Sequence, residues 1–233
     1  MGGQGGEGGE EATSPTGRGE IKRVYHWRTM APLLRVGLKV ACTEAEGPGS
    51  RYAVWVQGCS LRCQGCCNPH LFDPRGGEAL EVAALVREIL AAAVEGVTLL
   101  GGEPFDQAAP AASLCRAVRK AGLSVLVFTG YSLEELRARA DPGVAGLLAA
   151  TDLLVDGRYD RSRPERARRW AGSENQRFHF LTGRYAPGIE RAAPGELERT
   201  IEVRVVPDGR VFVNGWPEEL AGARRELNAQ PPS

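Results

Sequence analysis

The sequence predicts an α/β fold: a partial (β/α) barrel of parallel strands with a C-terminal antiparallel hairpin. Three observations carry this. Short apolar runs alternate with amphipathic stripes between residues 51 and 155, the pattern of right-handed βαβ crossovers and a helix-covered parallel sheet. Each run ends in a polar, glycine-containing turn, and in parallel α/β proteins the carboxyl ends of the strands form the ligand face. After Gln176 the alternation stops, and residues 201–206 and 211–213 flank Pro207-Asp208-Gly209-Arg210, a hairpin signal with Asp-Gly in the turn.

The elements follow in order. Arg51–Val56 reads as a buried strand. Residues 78–95 carry Val82, Leu85, Val86, Ile89, Leu90 and Ala93 at helical spacing, with Gly96 placed as the C-cap. Residues 97–100 form a short strand. Residues 107–121 form a second helix (Leu114, Cys115, Val118) closed by Gly122. Residues 123–128 are the next strand. Ser132-Leu133-Glu134-Glu135 is a capping box, and its helix stops before Asp141-Pro142. A short helix at 144–149 leads to a strand at 152–155.

The chain has 233 residues, enough for one domain with a real core. Residues 1–20 contain eight glycines and no large apolar side chain, so a disordered tail is expected there. A globular domain is expected over 21–229 and a polar tail over 230–233. With 29 Lys+Arg against 29 Asp+Glu the net charge is zero, which argues against a nucleic-acid binder. The longest apolar runs, such as 123–128, fall far short of the roughly 18 residues of a membrane helix. The first 25 residues show no apolar signal-peptide core. A cytoplasmic protein is the expectation.

Four of the six cysteines, Cys59, Cys63, Cys66 and Cys67, fall within nine residues. Loops that short make poor disulfide clips but suit a metal or redox site. The spacing C-x3-C-x2-C lets a short loop present three thiolates to one face of an iron–sulfur cluster, and such clusters ordinarily take four cysteines. With three, one iron stays open, and an open position marks a catalytic metal site. Other readings compete. Cys42, Cys115 or His70 completes a zinc set, Cys63-x-x-Cys66 acts as a redox dithiol, or the thiols are simply buried. Cys42 and Cys115 themselves read as buried thiols.

The sequence WVQGCSLRCQGCCNP, followed in order by LLGGEP, FTGYSLEEL, DLLVDGRYD and GSENQRF, resembles the radical S-adenosylmethionine superfamily. It is most similar there to the small activating proteins of anaerobic ribonucleotide reductase and to the wider class of glycyl-radical activases. The resemblance runs from about Leu34 to Trp216. It implies a [4Fe–4S] cluster on Cys59, Cys63 and Cys66, whose open iron chelates the amino and carboxylate groups of S-adenosylmethionine. Reductive cleavage then yields methionine and a 5′-deoxyadenosyl radical, which installs a glycyl radical on a partner enzyme, in the leading reading an anaerobic ribonucleotide reductase. A small reducing protein supplies the electron. The alternatives are a radical enzyme acting on another peptide or small molecule, and a non-catalytic iron–sulfur or zinc protein.

The resemblance also assigns Gly101, Gly102 and Glu103 to the amino group of S-adenosylmethionine, and Gly65, Cys66 and Cys67 to backbone contact with its adenine. Most superfamily members place an aromatic residue beside the third cysteine. Gly65 and Cys67 stand there instead, so stacking from this loop is not expected. Thr129-Gly130-Tyr131 and Asp156-Gly157-Arg158 fall on the same face, and Asp156 is a candidate for a ribose or orienting contact. Residues 158–169 contain six arginines: a solvated loop, or a docking surface with Trp170 and residues 173–177 beside it. His26, His70 and His179 show no metal or acid–base spacing.

Overall fold

The computed structural model describes residues 31–191, 201–205 and 211–215. The expected tails at 1–20 and 230–233, the domain limits at 21 and 229, His26 and the turn at 207–210 lie outside the described residues. The strands are β1 (Leu33–Thr43), β2 (Arg51–Val56), β3 (Glu78–Glu81), β4 (Gly96–Gly101), β5 (Ser124–Phe128), β6 (Leu153–Asp156), β7 (Arg177–Phe180), β8 (Ile201–Val205) and β9 (Val211–Gly215). The helices are α1 (Val82–Ala91), α2 (Ala108–Lys120), α3 (Leu133–Arg137) and α4 (Pro142–Ala149).

Seven strands form one mixed sheet in the order β3-β1-β2-β4-β5-β6-β7. The central strands β2, β4, β5 and β6 are parallel, while β1, β3 and β7 pair antiparallel at the flanks. The second sheet is the hairpin β8–β9. All six residues of β2 are buried, as expected of a strand between two parallel or antiparallel neighbours with both faces covered.

Period-two alternation sorts the strand side chains into two layers. Tyr52, Val54 and Val56 of β2, Val97 and Leu99 of β4, and Val125 and Val127 of β5 pack with Leu85 and Ile89 of α1, Leu114 and Val118 of α2, and Leu147 of α4. Burying each Leu, Ile or Val contributes about 1.5–3 kcal/mol. The alternate residues, Ala53 and Trp55 of β2 and Leu100 of β4, point to the opposite, helix-free face. That face carries the site.

Ser132 caps α3 as read. Its hydroxyl accepts from Glu135 N at 3.1 Å, and the Glu135 carboxylate accepts from Ser132 N at 2.7 Å. Several sequence expectations need correction. Residues 78–81 are not the first helical turn but strand β3, paired with Leu33, Leu34, Arg35 and Val36 of β1; the open edge of β1 offers a full ladder that outweighs one helical turn. Gly96 is not a C-cap. The helix closes at Ala92, Ala93 takes a left-handed backbone (φ 51), and Gly96 opens β4. Cys42 is exposed at the end of β1, not buried, whereas Cys115 is buried in α2. The apolar run of β2 opens on a fully buried Arg51, which donates to Thr98 Oγ1 and Val97 O, both at 2.6 Å, and to Tyr185 Oη at 3.0 Å.

The hairpin is fastened to the turn after β1. Glu202 Oε1 accepts from Glu44 N at 2.9 Å, and Asn214 Nδ2 donates to Thr43 Oγ1 at 3.1 Å and Glu46 Oε1 at 3.3 Å. Among the described residues, no helix is long and apolar enough to cross a membrane.

Candidate functional site

The carboxyl ends of β2, β4 and β5 open into one cavity of about 670 Å³ on the helix-free face. Trp55, Leu100 and Phe128 form its apolar floor, and Cys59, Cys63, Cys66 and Cys67 share its wall with Gly101, Gly102 and Glu103. Thr129, Gly130 and Gly157 complete the ring of strand-end turns. Residues separated by more than forty positions in sequence therefore meet because parallel strands all deliver their turns to one end of the sheet.

The two glycines of the β4 turn are required by β2. Gly101 has φ +101, and a Cβ there would stand 2.6 Å from the Trp55 Cβ. The Gly102 N–H donates to Val56 O at 2.8 Å and the Glu103 N–H to Gly58 O at 2.8 Å, so the turn lies directly on the start of the cysteine loop. Beyond it, Glu103 is buried at 1% exposure. Its Oε1 accepts from Phe105 N at 2.9 Å and Thr129 Oγ1 at 2.8 Å, and its Oε2 from Gly130 N at 2.9 Å. Burial pushes this carboxyl up to about 7, against the opposing pull of the Phe105 and Gly130 N–H groups. Among the described residues, no basic side chain pairs with it.

The cysteine loop is tied down outside the cavity. Ser60 N donates to Asp106 Oδ2 at 2.8 Å, the Ser60 hydroxyl reaches Asp106 Oδ1 at 3.0 Å, and Tyr131 Oη stands 2.7 Å from Ser60 Oγ. Three segments, from the ends of β2, β4 and β5, are joined in this knot. Cys59, Cys63 and Cys66 are half-buried free thiols. Burial raises the Cys59 and Cys63 thiols. The Cys67 side chain and the Asn68 N–H, 3.4 Å from the sulfur, hold Cys66 down to about 6. A cationic metal group reverses the burial penalty on thiolates, and an all-sulfur donor set suits iron–sulfur or zinc chemistry. Among the described residues, no three His, Cys, Asp or Glu side chains converge to hold a single ion. The three thiols of the C-x3-C-x2-C loop all line the cavity. Of the residues that would complete a zinc set, Cys115 packs in the core on the helix side and Cys42 is exposed; His70 lines the cavity.

Not every expected residue reaches the cavity. Gly65 does not line it and instead packs on Arg161, whose Cδ would stand 2.9 Å from a Cβ at that position. Asp156 is fully buried beside it, not in it. Its carboxylate accepts from Leu133 N at 2.6 Å and Arg177 Nη2 at 2.7 Å, with His179 Nε2 at 2.9 Å. This carboxylate locks β6, β7 and α3 together, which overturns the ribose expectation. In the arginine-rich loop, Arg158 pairs with Glu135 at 3.2 Å and Arg163 with Glu174 at 3.8 Å. Arg168 is consumed by Glu165 and the Gln176 carbonyl, while Arg169 and Trp170 line the cavity.

Sequence reasoning missed Ser60 and Asp106, and also Glu46 and Asn214, two buried polar residues on the cavity wall. Asp106 had a signal: it stands three residues after Glu103 on the Pro104–Gln107 turn. Glu46 and Asn214 had none, because their partners are more than 160 residues apart.

A family model described as the 4Fe–4S single cluster domain matches residues 45–179. The anaerobic ribonucleoside-triphosphate reductase-activating protein of Enterobacteria phage T4 is 28% identical over 145 residues, covering 59% of this chain and 88% of that one. The protein of the same description from Escherichia coli K12 is 31% identical over 145 residues, 58% of this chain and 92% of that one. The pyruvate formate-lyase 1-activating enzyme of Escherichia coli K12 is 32% identical over 132 residues, 54% of this chain and 52% of the longer enzyme.

Proposed function

The chain belongs to the 4Fe–4S single cluster domain family, and from that premise we propose that it installs a glycyl radical on a partner enzyme, an anaerobic ribonucleotide reductase. It is a radical S-adenosylmethionine enzyme of the activase class, and its cofactors are a [4Fe–4S] cluster and S-adenosylmethionine. The observation that carries the proposal is the meeting of the C-x3-C-x2-C thiols and the Gly-Gly-Glu turn on one cavity wall.

In this reading Cys59, Cys63 and Cys66 hold the cluster. When bound, the cluster supplies the electron that cleaves S-adenosylmethionine to the 5′-deoxyadenosyl radical. Glu103 receives the amino group of S-adenosylmethionine: a buried carboxylate without a basic partner gains most from an ammonium. Gly101 and Gly102 line the cavity beside it, and their missing side chains let the turn lie directly on β2 and Gly58. Adenine contact falls to the backbone of Cys66 and Cys67, with Gly65 behind them. The apolar floor of Trp55, Leu100 and Phe128 excludes water from this end of the cavity, which strengthens the charge interactions inside it.

The choice of partner rests on chain length. The match spans nearly the whole of the reductase-activating proteins but only half of the pyruvate formate-lyase activator. A small reducing protein as electron donor, a cytoplasmic setting and a sheet curved into a partial barrel belong to the same reading. The barrel is supported by the unbroken parallel order β2-β4-β5-β6.

The test is anaerobic reconstitution, followed by assay of 5′-deoxyadenosine release and of glycyl radical by electron paramagnetic resonance with an anaerobic reductase present. Release with radical on the reductase is expected. Release without radical on the reductase moves the chain to another radical substrate. One tight zinc and no iron–sulfur absorbance makes it a non-catalytic metal protein.

A further inference from the structure

The cysteine loop has no ring to offer an adenine, because Gly65 and Cys67 flank its third cysteine. Aromatic side chains reach the cavity from elsewhere: Trp55, Phe72, Phe128, Tyr159 and Trp170. Trp55 and Phe128 are taken up by the apolar floor, packed with Leu71 and Leu100. Trp170 is half-buried and belongs to none of the apolar clusters formed by the described residues. Its backbone is left-handed, φ 62, a conformation that a bulky residue keeps only where its surroundings over-determine it. Those surroundings are present on both sides. Arg169 N donates to Glu190 O at 2.6 Å, and Gln176 Oε1 accepts from Gly172 N at 2.7 Å and Ser173 N at 3.1 Å. Ala171 between them is buried. The opposite limb of this loop lies on the cysteine loop, where Arg161 packs against Gly65.

We infer that Trp170 is the stacking platform for the adenine of S-adenosylmethionine, supplied by the arginine-rich loop in place of the aromatic residue that the cysteine loop lacks. The inference rests on S-adenosylmethionine being the cofactor. It divides the work between two loops. The backbone of Cys66 and Cys67 meets the polar edge of the base, and the indole covers its face. A glycine would accept φ 62 without cost, yet the position carries the largest side chain there is. Strain of this kind persists at ligand clamps, where it aims a side chain that relaxed backbone would turn away. A flat ring on a backbone already fixed by hydrogen bonds has little freedom left to lose on binding, which is what a stacking surface requires.

The experiment uses the anaerobically reconstituted protein and two probes, 5′-deoxyadenosine, which carries only the nucleoside end of the cofactor, and methionine, which carries only the other end. Affinities are measured by equilibrium dialysis, so no turnover is needed. Trp170→Leu is expected to weaken 5′-deoxyadenosine about tenfold and to leave methionine at the wild-type affinity. Trp170→Phe is expected to recover most of the loss, because a smaller ring still stacks. Trp170→Gly removes the ring and relieves the backbone, so it decides if the Leu variant fails to fold; the same selective loss is expected. Unchanged 5′-deoxyadenosine affinity in the Leu and Gly variants overturns the inference. So does an equal loss of methionine, which marks a general disturbance of the cavity, or a loss in Tyr159→Leu with none in Trp170→Leu. Wild-type protein that loads iron but binds neither probe is a failure of the cofactor reading itself, and the inference falls with it.

Discussion

Gly102 lies against Gly58 so closely that a Cβ on Gly102 would stand 2.2 Å from the Gly58 carbonyl oxygen. The Gly-Gly-Glu turn and the first residue of the cysteine loop are therefore one packed unit. Gly102→Ala must push the two apart, at a cost of about 1–3 kcal/mol for overpacking, and iron loading is expected to fall with stability. Gly122 is the comparison: its φ is +93 but nothing stands within 4 Å of a Cβ there. Gly122→Ala is expected to cost about 1–2 kcal/mol of backbone strain and to load iron normally. Urea denaturation and iron content of both variants check this.

Cys59→Ser, Cys63→Ser and Cys66→Ser are each expected to abolish the normal cluster, because a neutral hydroxyl is a poor substitute for a thiolate. Cys67→Ser is expected to keep it, since its neighbour already takes the coordination position. Iron content and visible absorbance after anaerobic reconstitution decide. Equal iron loss in the Cys67 variant would show that the ligand assignment is wrong.

Glu103 makes the metal-free protein sensitive to pH. Its carboxyl ordinarily titrates near 4.5 and is pushed up to about 7 by burial. Folding thus takes up a proton between these values, and stability falls as pH rises through that window before levelling above about 7. The contribution lost across the window is on the order of 3 kcal/mol. Glu46, buried and likewise pushed up to about 7, adds a similar slope. Glu103→Gln is expected to remove about half of the loss between pH 5 and pH 8, measured as the difference in unfolding free energy in urea. An unaltered slope would place the titration elsewhere.

Asp156→Asn separates a structural carboxylate from a ligand contact. Burial alone would raise the Asp156 carboxyl, but Arg177, the Leu133 N–H and His179 together hold it below its ordinary value. Its stabilisation is present at neutral pH and is lost as pH falls through that depressed value. Asn removes the charge that Arg177 faces, and a loss of about 2–3 kcal/mol is expected, below the full cost of breaking a buried pair because the guanidinium is half-exposed. Affinity for S-adenosylmethionine, measured below the unfolding transition, is expected to stay at the wild-type value.

What could be read from the sequence was local. The Ser132–Glu135 capping box, the strand at Arg51–Val56 and the turns after β4 and β5 are each specified within a few residues, and each stands where the periodicity put it. Strands β1, β3 and β7 escaped. The alternation of β1 is broken by two register shifts against β2, and β3 reads as helix until the open edge of β1 is available to it. Asp156 looked like a site residue because it follows a strand; only the arrival of Arg177 and His179 on β7 shows what occupies it. Arg168 resembled a free surface charge for the same reason. Its partners are the Glu165 carboxylate and the carbonyls of Glu174 and Gln176, and carbonyls carry no sequence signal.

The Ser60–Asp106–Tyr131 knot has a consequence for the order of assembly. Zinc fingers are unfolded without metal, and the ion drives the chain to wrap around it. Here the thiol-bearing segment is already moored to its neighbours by hydroxyl and carboxylate bonds that involve no sulfur. The anchorage of the loop to the ends of β4 and β5 therefore does not run through the thiols, and it is the same whichever sulfur is replaced.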